Sequence, residues 1–307
     1  MIRTARSLLL VGLLAVPAAR WAAPAPARYP IKLKTGGQGS VTQVDRQDTA
    51  ETKFKIEGPD GQVLREDQEK RTTRQAYQET ILERPGPDQR ATRLERAYTR
   101  AVETVGDAGH TLSYQGQTVV IERKGGTYRF TVGPKELPAR DAALLHRSFN
   151  QGGADAAELA KRMSPPRPVR VGQTWQIDWR PLPGLLLFGR DQDVGVDAST
   201  ATATGKLLRA YTKGGRQFGV LDFHVELPLT GEMPLGKAKV TLRPGSKLVL
   251  KVKADTCIDG TSSDAVAEWS KEMKVEGVGR GSDGKDYKVL IDEVTRGKDT
   301  ETDLSRK

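Results

Sequence analysis

Runs of alternating apolar and polar residues, cut at short intervals by glycine-bearing turns, recur along most of the chain. Side chains of an extended strand point to opposite faces in turn, so such runs specify half-buried β-strands and exclude a helical bundle. Lys206 to Tyr211 and Gln217 to Leu229 flank Lys213-Gly214-Gly215-Arg216, and Thr118 to Glu122 and Thr127 to Val132 flank Lys124-Gly125-Gly126. Both read as hairpins. Asp264 to Glu276 and Tyr287 to Thr295 read as a third, with Ser282-Asp283-Gly284-Lys285 between them. Only 36% of the 307 residues are hydrophobic and 6% are aromatic. A parallel sheet buried on both faces needs near-continuous Val/Ile/Leu runs, and this composition does not supply them.

Ser40 to Glu57 and Val169 to Trp179 also alternate, the second placing Val169, Val171, Trp175, Ile177 and Trp179 on one parity. That parity is read as a core face. Two segments are harder to assign. Gln62 to Glu83 is polar apart from Tyr77, Ile81 and Leu82. In Arg90 to Val105 the apolar positions Leu94, Ala97, Tyr98, Ala101, Val102 and Val105 have helical spacing, although the hairpin-like neighbours favour a strand, which is the reading adopted. Pro138 to Asn150 and Ala154 to Met163 carry helix formers, and Ser164-Pro165-Pro166-Arg167-Pro168 ends them.

The expected architecture is therefore mainly β. Two antiparallel β units, each a curved sheet, half-barrel or sandwich, are separated by two short helices. The expected divisions are an N-terminal β domain over 28–137, a helical segment and Pro-rich linker over 138–168, a C-terminal β domain over 169–295 and a disordered tail over 296–307.

Residues 1–27 have the three-part grammar of a secretory signal. Arg3 and Arg6 precede the apolar run Leu8 to Val16, and small residues follow, with cleavage after Ala18, Ala23 or Ala27. The run is about half the length of ~20 residues that a membrane-spanning helix requires. Removal of this segment takes three arginines and no acid from a chain of net charge +10, leaving it basic. The expected location is periplasmic or extracellular, with no transmembrane span in the mature chain. Lys and Arg are interleaved with acids, so the charge points to loose attraction to anionic surfaces and not to nucleic acid.

Chemistry-bearing motifs are few. His110, His146 and His224 lack metal-ligand spacing, and neither a nucleophile elbow nor a phosphate loop is present. Asp191, Asp193 and Asp197 begin like a calcium loop, but Val196 and Thr202 stand where glycine and glutamate are needed. No cofactor and no metal are expected. Cys257, the lone cysteine, reads as a buried inert thiol. Two candidate surfaces emerge. Leu185, Leu186, Leu187 and Phe188 form the most apolar run of the mature chain, read as the mouth of a ligand site. Lys237, Lys239, Arg243, Lys247, Lys251 and Lys253 fall on the polar parity of an expected hairpin over 237–253 and are read as facing an anionic envelope polymer or lipid.

Pro168-Val169-Arg170-Val171-Gly172-Gln173-Thr174-Trp175 resembles the Val-Gly-x-x-Trp strand of uncharacterised exported β-rich bacterial proteins. The hairpin Gly125 to Phe130 and the stretch Cys257-Ile258-Asp259-Gly260 add to the resemblance. It implies a β-rich exported protein and assigns no functional residue. A looser similarity is to envelope lipoprotein carriers, whose curved sheets hold lipid chains. The expected function is that of an exported, non-enzymatic envelope protein. It is a binding or scaffolding module that holds a lipid or other apolar ligand. The alternative is a secreted hydrolase with a scattered active site.

Overall fold

A computed structural model describes residues 27–86, 89–150, 156–182, 194–235, 238–281 and 283–305. The first half contributes β1 (Arg28–Tyr29), β2 (Val41–Glu57), β3 (Val63–Glu83), β4 (Arg93–Val105), β5 (Ala108–Thr111), β6 (Thr118–Lys124), β7 (Thr127–Val132) and β8 (Lys135–Glu136). Two helices follow, α1 (Ala139–Phe149) and α2 (Ala156–Met163). The second half contributes β9 (Val169–Arg170), β10 (Thr174–Gln176), β11 (Val194–Val196), β12 (Thr202–Lys213), β13 (Arg216–Leu235), β14 (Ala238–Leu242), β15 (Lys247–Cys257), β16 (Ala265–Arg280) and β17 (Asp286–Asp303). The protein is mainly β, as the alternation requires.

Fifteen strands form one antiparallel sheet, and β1 pairs with β9 in a second, two-stranded one. The two expected β units thus share a sheet. Their junction is the pairing of β17 with β2, which runs from Lys288↔Glu57 to Asp303↔Thr42. The expected disordered tail is corrected here, since residues 296–303 are ladder strand, paired with β2 throughout and with β16 as far as Glu301. Their polar composition misled because both faces of the sheet at this point carry charged side chains. A chain ending at Thr295 is expected to melt at a lower temperature, because Thr42–Thr49 of β2 and Ala265–Ser270 of β16 lose their ladder partners and expose unpaired edges. Circular dichroism melts check this, and an unchanged midpoint would refute the central placement.

Two apolar clusters lie on one face of this sheet. Val44 on β2 belongs to the first, with Tyr77, Ile81, Leu94, Tyr98, Ile121 and Phe130. Phe54, on the same parity of β2, packs against the second, with Leu207, Leu221, Val225, Leu248, Val275 and Ile291. Helix α1 buries Ala142, Leu145 and Phe149 in the first cluster, and their i, i+3, i+7 spacing makes one helical stripe. Asn150 pins the end of α1 to β7, accepting from Tyr128 N at 2.7 Å and donating to Tyr128 O at 2.9 Å. Met163 at the end of α2 lies in the second cluster, and its carbonyl accepts from Trp175 Nε1 at 2.9 Å. Among the described residues no helix is long and apolar enough to cross a membrane.

Several local expectations change. Residues 28–31 go with the second half, because β1 pairs with β9 and Ile31 sits in the second cluster. The run Val169 to Trp179 is broken at Gly172, whose φ of 83° makes a turn. Val171 is left 49% exposed, while Trp175 and Ile177 are buried. The polar segment Gln62 to Glu83 is mostly the long strand β3. The strand reading of 90–105 holds for Arg93–Val105, and the helical spacing has a β origin. A bulge shifts the β3–β4 register, so that Tyr77 faces Tyr98 while Ala76 faces Arg100. One extra residue flips the parity, which carries Leu94, Tyr98 and Ala101 to the same buried face.

The expected hairpin over 237–253 is also corrected. Strand β14 pairs with β13 and β16, and so does β15. The two lie end to end in one column, and Arg243-Pro244-Gly245-Ser246 is a kink in that column and not a hairpin turn. Gly245 at φ 100° makes the kink, and Ser246 Oγ accepts from Glu276 N at 3.0 Å across it.

Candidate functional site

Between the two apolar clusters lies a cavity of about 410 Å³. Its wall takes residues from seven neighbouring columns: Leu221 and Phe223 of β13, Ala254 of β15, Ala265 of β16, Glu301 of β17, Arg46 of β2, Glu79 of β3 and Arg96 of β4. Strands are spaced by about 4.8 Å, so seven of them reach one cavity only if the sheet curls around it. Residues 33–36, Arg84, Arg90 and the end of α1 close the remaining side.

Apolar side chains make one part of the lining, chiefly Leu33, Val44, Ile81, Leu94, Leu221 and Phe223. Four arginines, Arg46, Arg84, Arg90 and Arg96, and the acids Glu79 and Glu301 stand among them. Arg46 donates from Nε and Nη2 to the two carboxylate oxygens of Asp299, each at 2.9 Å, and the two residues are opposite each other in the β2–β17 register. Arg96 Nε donates to Glu79 Oε2 at 2.8 Å, again across a ladder, with its guanidinium over the rings of Tyr77 and Phe149. Arg90 donates to the carbonyls of Phe149 and Ser148 at 2.9 and 2.7 Å, where the C-terminal end of the α1 dipole favours a cation. Arg84 differs from these three: its Nε and Nη1 are shut off from solvent and meet no acceptor.

The acids respond to the same setting. Burial raises the Glu301 carboxyl above the usual range; Asp299 and Glu79 add to the rise and Arg46 and Arg96 oppose it. Burial also raises Tyr77, to about 12. Next to the cavity, the Asp48 carboxyl is pushed up to about 6, chiefly by burial. Toward the middle of the long strands the same face carries further ion pairs, Lys271–Glu293 at 3.3 Å and Arg71–Glu103 at 3.5 Å, the latter joined by Arg147 of α1.

None of these residues stood out in the sequence as a site. A signal is present in hindsight. In Tyr77-Gln78-Glu79-Thr80-Ile81 and Leu94-Glu95-Arg96-Ala97-Tyr98 a charge occupies the apolar parity, flanked at i±2 by buried side chains. Which charges meet depends on register, which no single strand records.

The residues singled out from sequence lie elsewhere. Leu185, Leu186, Leu187 and Phe188 fall outside the described residues, as do Lys237, Asp191 and Asp193. Asp197 accepts from Ser199 and Thr200 in a turn. Of the basic set, Lys247 and Lys239 stand beside acids, Glu226 at 2.9 Å and Glu232 at 3.2 Å. Lys251 and Lys253 are exposed and face His224 and Asp222 across the ladder. That outer surface is a mixture of both signs. His110 lies 3.4 Å from Asp141, His146 meets the Phe130 ring, and His224 is on the outer face; none lines the cavity. Cys257 is buried, its thiol donating to Asp259 Oδ1 at 3.1 Å.

No family model and no curated protein matches the chain. Among solved structures, lipovitellin is similar at TM-score 0.25 and 10% identity, over 85% of this chain and 25% of that one, so the chain spans about a quarter of it. The TodX monoaromatic hydrocarbon channel is similar at TM-score 0.22 and 7% identity, over 90% and 93% of the two chains. A mutant Rh. blastica porin is similar at TM-score 0.19 and 10% identity, over 83% and 99%. Scores this low carry no functional argument.

Proposed function

We propose that the protein is an exported envelope component that binds an amphipathic ligand inside its curled sheet and performs no catalysis. The carrying observation is the cavity of about 410 Å³, whose lining combines apolar side chains with four arginines. Its volume is within the range of small-molecule sites, roughly 300–1,000 Å³. Mixed lining of this kind suits a molecule with an apolar body and a polar end. Export rests on the charged start, apolar run and small-residue sites within residues 1–27. The outer cations are left out of this reading, because acids stand beside Lys239 and Lys247.

Two measurements test these parts. Native mass spectrometry of the chain purified from the cell envelope is expected to give a mature start between Ala19 and Arg28, together with a non-covalent adduct of lipid-like mass. A chain that keeps Met1 defeats the export reading. A bare chain that also takes up neither dodecanoate nor dodecanol in equilibrium dialysis defeats the binding reading.

A further inference from the structure

Among the arginines that line the large cavity, one lacks a counterpart. Arg84 follows the end of β3 and lines the large cavity. Its Nε and Nη1 nitrogens are buried without an acceptor. The other three arginines of the wall are committed: Arg46 to Asp299, Arg96 to Glu79, and Arg90 to the two carbonyls at the end of α1. A guanidinium cannot shed its charge to escape burial, and a buried donor left unpaired is costly. The carboxylate that lines the cavity without a hydrogen-bonded cation, Glu301, has its carboxyl raised toward the neutral form and is across the strand pair from Val44.

We infer that Arg84 receives the acidic head of the ligand, which makes the ligand class a single acyl chain ending in a carboxylate or phosphate. This rests on the proposed binding function and adds the head group and its receptor. Arginine is suited to the task, because its planar fork bonds two oxygens of either group at once. The neighbouring guanidinium of Arg90, fixed by Phe149 O and Ser148 O and stacked on Tyr128, adds positive field at the same end. The apolar chain then runs along Leu94, Ile81 and Val44 toward Leu221 and Phe223, all of which line the same cavity.

Equilibrium dialysis of the full mature chain against dodecanoate, dodecyl phosphate and dodecanol separates the possibilities. At least one acid is expected to bind the wild type roughly 10- to 100-fold more tightly than dodecanol, the range for a hydrogen bond to a charged group. Arg84→Gln is expected to bring that ratio near unity by weakening the acids far more than dodecanol, and Arg84→Lys to restore part of it. Which acid wins distinguishes a carboxylate from a phosphate head. Equal binding of acids and alcohol by the wild type, or an unaltered ratio in Arg84→Gln, overturns the inference and leaves the binding function standing. No binding of any of the three removes that function and the inference with it. Matching circular dichroism melts of the variants and wild type confirm that folding is intact.

Discussion

Trp175→Ala is expected to destabilise the protein by about 3–5 kcal/mol, the range for truncating a large buried aromatic side chain. Trp175 is 7% exposed, meets Phe223 edge to face with centroids 6.0 Å apart, and donates from its indole nitrogen to Met163 O. Its ring also covers Gly205, its partner across the β10–β12 ladder, where an added Cβ would come within 2.3 Å of the ring. Removing the indole therefore empties core volume, unpairs the carbonyl at the end of α2 and uncovers a glycine strand. Gln176, next in sequence and exposed, should cost about 0.5 kcal/mol or less when changed to alanine, as surface positions do. Urea midpoints compared at constant slope decide it. Equal effects at the two positions would mean that the face assignment of β10 is wrong.

Asp48→Asn should act in the opposite direction and only at higher pH. The Asp48 carboxyl is raised from 3.8 to about 6 by burial first; Asp299 adds to the rise, while Arg46 and Arg147 oppose it. It faces Thr73 on β3 and Gly297 on β17, with Arg71 and Thr295 diagonal to it, and its Oδ1 has no hydrogen-bond partner. Between about pH 4 and pH 6 the unfolded chain has released this proton and the folded chain still holds it. Stability then falls as pH rises through that window, and is flat above it. The shift corresponds to about 3 kcal/mol at 1.36 kcal/mol per pKa unit. Asparagine stays neutral at every pH and has nearly the same shape. The variant should match the wild type near pH 4 and exceed it by about 2–3 kcal/mol at pH 8. The difference between the two chains isolates Asp48 from Glu301, which shifts the same way, and from Asp303 and Asp259, which hydrogen bonds hold below the usual range. Equal stability at both pH values would mean that the native carboxylate is ionised and well paired.

The asparagine variant also bears on why a charged strip crosses this face at all. A fully apolar strip would join the two clusters into one core and leave no polar wall. Ion pairs such as Lys271–Glu293 and Arg46–Asp299 hold the long strands in register while the sheet stays lined with charge. Trp269 contributes to the same end, lying over Gly297 so closely that a Cβ there would approach it to 2.3 Å.

Local physics determined much of this protein from sequence. Alternation and glycine turns were enough for a mainly β chain, for hairpins such as β6–β7, β12–β13 and β16–β17, and for the two short helices, because each of these depends on residues close in the chain. Trp175 in the core followed from the same patterning, and the buried thiol of Cys257 from the general burial of lone cysteines. Tertiary structure alone decided the rest. Residues 296–303 are polar and read as a tail, yet they are strand because β2 pairs with all of them and β16 with those up to Glu301. Strands β14 and β15 read as a hairpin, yet both complement β13 and β16 in a single column. The cavity arises from strands that are distant in sequence, and Arg46, Glu79, Arg84, Arg96 and Glu301 meet there only once register and curvature are set. A strand's own sequence states which side chains share a face. It does not state which strand lies beside it, and that neighbour decides whether a charge is solvated, paired or buried without an acceptor.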